Sequence, residues 1–174
     1  MPPELESAIT ALYRENFEFV WRNARRLGCG DDWIDDAVHE VFLVASRRLG
    51  EFEGRSSHRT WLFAITLRMV QRMQRDRTLR QRRVTEYVRQ QPTAVGNAAS
   101  ESERAQYLRY LLRLLPEAQR VVLILAELEG FTTSEIASTL AIPAGTVHSR
   151  LRAAKQRLAE VIERERALDE RSNP

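Results

Sequence analysis

Residues 130–158 read GFTTSEIASTLAIPAGTVHSRLRAAKQRL, a pattern of two helices with a tight break between them. Thr132, Thr133 and Ser134 offer hydroxyls that can cap the free N–H groups of a helix start. Ile136, Ala137 and Leu140 give that helix one apolar face. The break is Ala141-Ile142-Pro143-Ala144-Gly145, with Pro143 suited to a turn or a first helical position. A second helix is predicted from about Ala144 to Leu158. Within it Val147, Leu151, Ala154 and Leu158 recur at steps of four, three and four. At about 100° per residue they form one buried stripe. Gly145, Ser149, Arg152 and Gln156 point away from the stripe, and Thr146, His148, Ala153 and Lys155 flank it. No acid stands between Ala144 and Ala159, so the outward face is hydrogen-bonding and cationic, as a helix laid in a DNA major groove requires. The pattern alone also fits a solvated amphipathic hairpin, and helical hairpins are common.

Outward from this stretch, the 174 residues allow one or two domains, and 43% hydrophobic content is ample for a core. No apolar run approaches the ~20 residues of a membrane span. The start, MPPELESAITALY, lacks a basic region followed by a hydrophobic stretch, so it does not read as a secretory signal and a cytoplasmic location without membrane association is expected. Cys29 is the lone cysteine and reads as a small residue near a helix end. The three histidines, His39, His58 and His148, are scattered, so neither a disulfide nor a metal cluster is expected. No nucleophile–base spacing or phosphate loop emerges; an enzyme, a catalytic residue and a cofactor are not expected.

Charge is unevenly spread. Residues 1–54 carry eleven acids against six bases, residues 55–89 ten bases against two acids, and residues 132–158 four bases against one acid. Two basic segments therefore follow an acidic one. Apart from Lys155 their bases are Arg, whose planar fork can give phosphate two hydrogen bonds at once.

Helical periodicity dominates the rest, with almost no strand signal. Ile9, Leu12, Tyr13, Phe17, Val20, Trp21, Ala24 and Leu27 mark a first helix that Gly28 and Gly30 end. Asp31 or Asp32 can cap the next, with Ile34, Val38, Val41, Phe42, Ala45 and Leu49 inside. Gly50 and Gly54 bracket a turn containing Phe52. Ser56 or Ser57 can cap a third helix, with Trp61, Leu62, Ile65, Met69 and Met73 inside and Arg59, Arg68, Arg72 and Arg75 on its other face. The apolar period fails from about Gln90 to Glu103 and returns with Leu108, Leu111, Leu112 and Leu115. The expected fold is all-α: a helical domain over 1–89, a flexible linker over 90–103, a helix-turn-helix domain over 104–165 and a frayed tail over 166–174.

Taken together these residues resemble a family. DDWIDDAVHEVFLVASRRLGEFEGRSSHRTWLFAI, residues 31–65, is similar to the second conserved region of bacterial RNA polymerase sigma factors. LPEAQRVVLILAELEGFTTSEIASTLAIPAGTVHSRLRAAKQRL, residues 115–158, is similar to their fourth. The short link between them resembles the extracytoplasmic-function (ECF) group. The resemblance implies a transcription initiation factor that binds core RNA polymerase and reads the −35 and −10 elements of promoter DNA.

By that resemblance Asp35, Asp36, His39 and Glu40, with Arg47 nearby, dock on the β′ clamp helices of core polymerase, with the β subunit as a further contact. His39 stands where the family usually has Gln. Arg55, Ser56, Ser57, His58, Arg59, Thr60 and Trp61 match the −10 melting segment, where an unstacked base is trapped rather than a bond broken. Trp61 fits an aromatic wedge and core packing equally, and His58 stands where the group commonly has Phe. Arg68, Arg72 and Arg75 would follow the strand backbone, while the run from Arg77 to Arg83 fits either that role or a solvated helix end. For the −35 element Ser149, Arg152 and Gln156 would meet base edges, and Thr146, His148 and Lys155 phosphate or flanking bases. Arg150 would brace the fold or reach phosphate, and Arg120 is another phosphate candidate. Arg152-Ala153 replaces the usual aromatic or His followed by Arg, so base preference does not transfer. The family also implies an anti-sigma partner. A free-standing DNA-binding regulator would leave the acidic helix and the Arg55–Trp61 segment unexplained. A sigma-like decoy would need a receiver domain, which this length does not hold.

Overall fold

The computed structural model describes residues 3–54, 56–87 and 102–172. Seven α-helices form among them, and the chain divides into two compact units, Met1–Glu101 and Ser102–Pro174. The linker expected over 90–103 lies outside the described residues as far as Glu101. Ser102 and Glu103 do not belong to it: Ser102 Oγ accepts the Ala105 N–H at 3.4 Å and Glu103 opens a helix.

In the first unit α1 (Pro3–Arg26), α2 (Ile34–Arg48) and α3 (His58–Tyr87) pack pairwise on one another. Their shared core takes Phe19, Val20 and Ala24 from α1, Val38 and Val41 from α2, and Leu62, Phe63 and Val70 from α3. Burying one such large side chain contributes about 1.5–3 kcal/mol. Two α1 asparagines inside this core donate locally, Asn16 Nδ2 to Leu12 O and Asn23 Nδ2 to Phe19 O, each at 2.9 Å, while the buried Asn23 Oδ1 has no hydrogen-bond partner among the described residues. The chain leaves α1 through Gly28 at φ +102°, with Cys29 N–H bonded to Ala24 O at 3.0 Å. That left-handed closure satisfies the last carbonyls and suits glycine.

The expected cap of α2 by Asp31 or Asp32 is not formed. Trp33 holds the cap position with no side-chain bond. Asp31 instead pairs with Arg25 at 2.6 Å, and Asp32 with Arg77. A guanidinium is a stronger partner for a carboxylate than a neutral N–H, and Asp35 and Asp36 in the first turn already complement the helix N-terminus. The turn between α1 and α2 is tied to α3 by Gln74 Nε2, which donates to Leu27 O at 3.3 Å and Gly28 O at 3.2 Å. Arg77 lies 5.4 Å above the Trp33 ring. The start of the Arg77–Arg83 run is thus an internal fastener; the side chains of residues 81–83 lie outside the described residues.

In the second unit α4 (Glu103–Arg113) leads through Pro116 to α5 (Glu117–Leu123), which continues into a single π-turn, Ile124–Leu128. Then follow α6 (Thr133–Leu140) and α7 (Ala144–Ser172), both α5 and α6 packing on α7. Thr132 caps α6 in a reciprocal box: its hydroxyl accepts the Glu135 N–H at 3.2 Å, and Glu135 accepts the Thr132 N–H at 2.8 Å. The break is made by Ala141 at φ +52°, a left-handed position usually given to glycine, followed by the Pro143 carbonyl, which accepts from Thr146 and Val147. Helix α7 runs to Ser172, past Glu165, where the frayed tail was expected to begin. Its last turns, RERALDERS, alternate acids and bases on strong helix formers, and such spacing supports a helix without a core.

Candidate nucleic-acid interface

The buried stripe of α7 is as expected: Val147 is 1% exposed and Ala154 0%, with Leu151 and Leu158 half-buried. That anchoring turns Gly145, Ser149, Arg152 and Gln156 to solvent. Arg152 has no ion-pair partner among the described residues. Ser149 Oγ donates back to Thr146 O at 3.1 Å, and Gln156 Nε2 donates to Glu160 Oε1 at 3.3 Å. Of the flanking residues His148 and Lys155 are exposed, Thr146 and Arg150 half-buried. Lys155 Nζ rests 2.8 Å from the carboxylate of Glu127 in the π-turn. Arg120 on α5 is half-buried and its Nε has no hydrogen-bond partner. Burial pulls its pKa down from the usual guanidinium value, Glu117 opposing and Arg113 adding to the effect.

In the first unit the polar side of α2 is acidic at its start and basic at its end. Asp35, Asp36, His39 and Arg47 are exposed, and Glu40 is half-buried. Asp36, His39, Glu40 and Arg47 fall within roughly 100° of arc, with half-buried Leu43 among them. Leu43 had no sequence signal, because one apolar residue on a polar face does not break the period. Glu40 approaches Arg72 of α3 at 3.9 Å, so the α2 face and the arginine face of α3 adjoin.

On α3, Arg68, Arg72 and Arg75 are exposed along one side. With Val44, Ile65, Met69 and Arg48 the first two line a cleft of about 210 Å³, three guanidiniums over an apolar floor. Arg48 is an addition the sequence did not signal. Arg59 does not share this side as expected: it lies about half a turn around the helix, its guanidinium 5.5 Å from the Phe19 ring. An aromatic face in reach holds a guanidinium by cation–π attraction.

A second cleft, about 280 Å³, opens between Glu51, Phe52, Glu53, Ser56 and Trp61. Phe52 is its hub, with ring centroids 5.1 Å from Trp61 and 4.7 Å from His58. Trp61 is half-buried, so one ring both packs on Phe52 and keeps an exposed edge. Ser57 is engaged at the helix start, its Oγ 2.9 Å from Thr60 Oγ1 and accepting the Thr60 N–H at 3.1 Å, whereas Ser56 lines the cleft. Thr60 is buried, and Arg55 lies outside the described residues. The sequence places Phe52 only in a turn between Gly50 and Gly54 and gives Glu51 and Glu53 no role: a lone aromatic between glycines has no periodicity to reveal its partner. Cys29 is 3% exposed, and burial first, then Asp32, pushes its thiol up to about 12, so the reactive thiolate is scarce at neutral pH. Among the described residues no three His, Cys, Asp or Glu side chains gather as a metal site, and no helix is long and apolar enough to cross a membrane.

Two exposed cationic helix faces, each backed by a sealed core, define a two-module helical protein with surfaces suited to a polyanion. Residues 12–80 match the family model for Sigma-70 region 2, and residues 105–158 that for Sigma-70 region 4. The probable RNA polymerase sigma-C factor of Mycobacterium bovis is 30% identical over 153 residues, covering 87% of this chain and 81% of that protein. The ECF RNA polymerase sigma factor SigM of Mycobacterium tuberculosis is 26% identical over 163 residues, covering 89% and 77%. Among solved structures, the sigma factor RpoE in complex with the anti-sigma factor NepR from Bartonella quintana has the same fold, with a TM-score of 0.70 at 24% identity over 92% of this chain and 97% of that one. The chain belongs to the ECF group of RNA polymerase sigma factors. It is a promoter-recognising transcription initiation factor, and sigma factors are non-catalytic.

Proposed function

We propose that the α2 face of Asp35, Asp36, His39, Glu40 and Arg47 docks on the β′ clamp helices of core polymerase, with the second unit reaching the β subunit. The complex then works in the cytoplasm. The Phe52, His58 and Trp61 cluster, with Ser56 at its cleft, receives an unstacked −10 base. Flipping a base costs a few kcal/mol, and stacking on an aromatic ring returns about 1–3 kcal/mol. Arg68, Arg72 and Arg75 track the strand backbone beside it. Ser149, Arg152 and Gln156 read −35 base edges, while Thr146, His148, Arg150 and Lys155 meet phosphate or flanking bases. Arg120, half-buried on α5, is a further phosphate candidate. An anti-sigma partner regulates the chain; that the sigma factor RpoE, of the same fold, is held by the anti-sigma factor NepR supports this.

The observation that carries the reading is the exposure of Ser149, Arg152 and Gln156 on a helix whose opposite stripe is sealed by Val147 and Ala154. The test is reconstitution. Core polymerase plus the full chain should initiate at one defined position on a responsive promoter. A chain that fails to co-purify with core polymerase at low salt would overturn the proposal.

A further inference from the structure

Lys155 belongs to the DNA-facing side of α7, yet its ammonium already has a counter-ion. Glu127 Oε1 lies 2.8 Å from Nζ, and the two side chains are 44% and 56% exposed. Both ends of this pair are fixed from behind. Ala154, the neighbour of Lys155, is fully buried, and so are Ile124 and Leu125 in the π-turn that carries Glu127. The Glu129 N–H reaches back five residues to Ile124 O at 3.0 Å. Such single π-turns widen a helix locally and recur at functional sites. A surface ion pair of this exposure contributes little to stability, so folding alone does not account for an acid at the edge of a surface meant for a polyanion.

We propose that the Glu127 carboxylate is a specificity determinant of the α7 surface: it occupies Lys155 on arbitrary DNA and releases it only where a base edge offers the carboxylate a donor. The inference rests on the −35 reading of α7. On arbitrary duplex the surroundings are phosphate. Lys155 could neutralise one only by leaving Glu127, and the freed carboxylate would then face the backbone unpaired. The pair is neutral as a unit and adds nothing to counterion release. On a matching site the N4 amino group of cytosine or the N6 amino group of adenine can donate to Glu127 in the major groove. Lys155 is then free for phosphate.

The test compares the full chain with Glu127→Gln, Lys155→Gln and the double variant. Each is titrated with a fluorescent duplex selected for −35 binding and with a scrambled one, from about 50 to about 200 mM salt. Each phosphate newly neutralised steepens the log–log salt dependence by ~0.9. Glu127→Gln should therefore bind scrambled duplex more tightly, with a slope steeper by ~0.9; its advantage should shrink about 3.5-fold across that salt range. Its preference for the selected duplex should fall severalfold. In the Lys155→Gln background the same substitution should leave the slope on scrambled DNA unchanged, because the coupling resides in the pair. An unchanged slope in Glu127→Gln overturns the proposal. So does an equal steepening with and without Lys155, which would mark a diffuse field of the acid. If the unsubstituted chain shows no salt-dependent binding to either duplex, the DNA reading of α7 itself fails.

Discussion

Arg152→Ala separates base reading from phosphate binding. Arg152 is exposed on the outward face of α7 and has no ion-pair partner among the described residues. Its removal opens no cavity and orphans no buried donor, so the expected change in folding stability stays within ~0.5 kcal/mol. Its effect should fall on DNA. A guanidinium bidentate to guanine is worth about 1–3 kcal/mol of discrimination, which at ~1.4 kcal/mol per tenfold is roughly a 5- to 150-fold loss at one base pair. A phosphate contact would instead weaken all sequences alike and reduce the salt slope by ~0.9. The assay is transcription by reconstituted holoenzyme on a promoter library randomised through the −35 element, with transcripts sequenced and the melting of each protein followed by circular dichroism. The variant should lose preference at one or two adjacent positions and keep its salt slope. A uniform loss with a shallower slope, or unchanged preference, would refute the assignment of Arg152 to base edges.

Asp36→Arg reverses an exposed charge on α2 and should abolish co-elution with core polymerase while leaving the melting temperature nearly unchanged; retained binding would remove α2 from the docking surface. Trp61→Ala takes away the half-buried ring that Phe52 packs against, at a stability loss of about 2 kcal/mol, roughly half that of a full core aromatic. Transcription from duplex promoters should fall and return on a template with a premelted −10 bubble; failure of the bubble to restore it would leave Trp61 a packing residue only. Thr132→Ala removes the α6 cap and should destabilise the second unit by about 1 kcal/mol. The Thr132 N–H first, and its hydroxyl next, hold the Glu135 carboxyl below its ordinary pKa. The box therefore stabilises fully above the unfolded carboxylate pKa and loses that contribution as pH falls through the lower folded value. Acid titration of unfolding should show a weaker pH dependence in Thr132→Ala than in the parent, and identical acid limbs would exclude the Thr132 hydroxyl as a source.

The amino-acid order alone determined the helices and their faces. The 3.6-residue period placed Val147, Leu151, Ala154 and Leu158 on one stripe, and the Thr132 and Glu135 spacing formed a capping box, because both are decided within one or two turns of chain. What tertiary structure alone decided is where the charged and aromatic side chains go once distant segments meet. Asp31 and Asp32 look like caps until Arg25 and Arg77 arrive, the second from 45 residues away. Arg59 looks continuous with Arg68, Arg72 and Arg75 until the Phe19 ring is beside it, and Phe52 acquires a setting only when His58 and Trp61 pack against it. Lys155 looks free until the π-turn presents Glu127. Backbone periodicity is a local property that a sequence displays directly. A charge finds its partner through space, and that distance is set by packing of the cores beneath it.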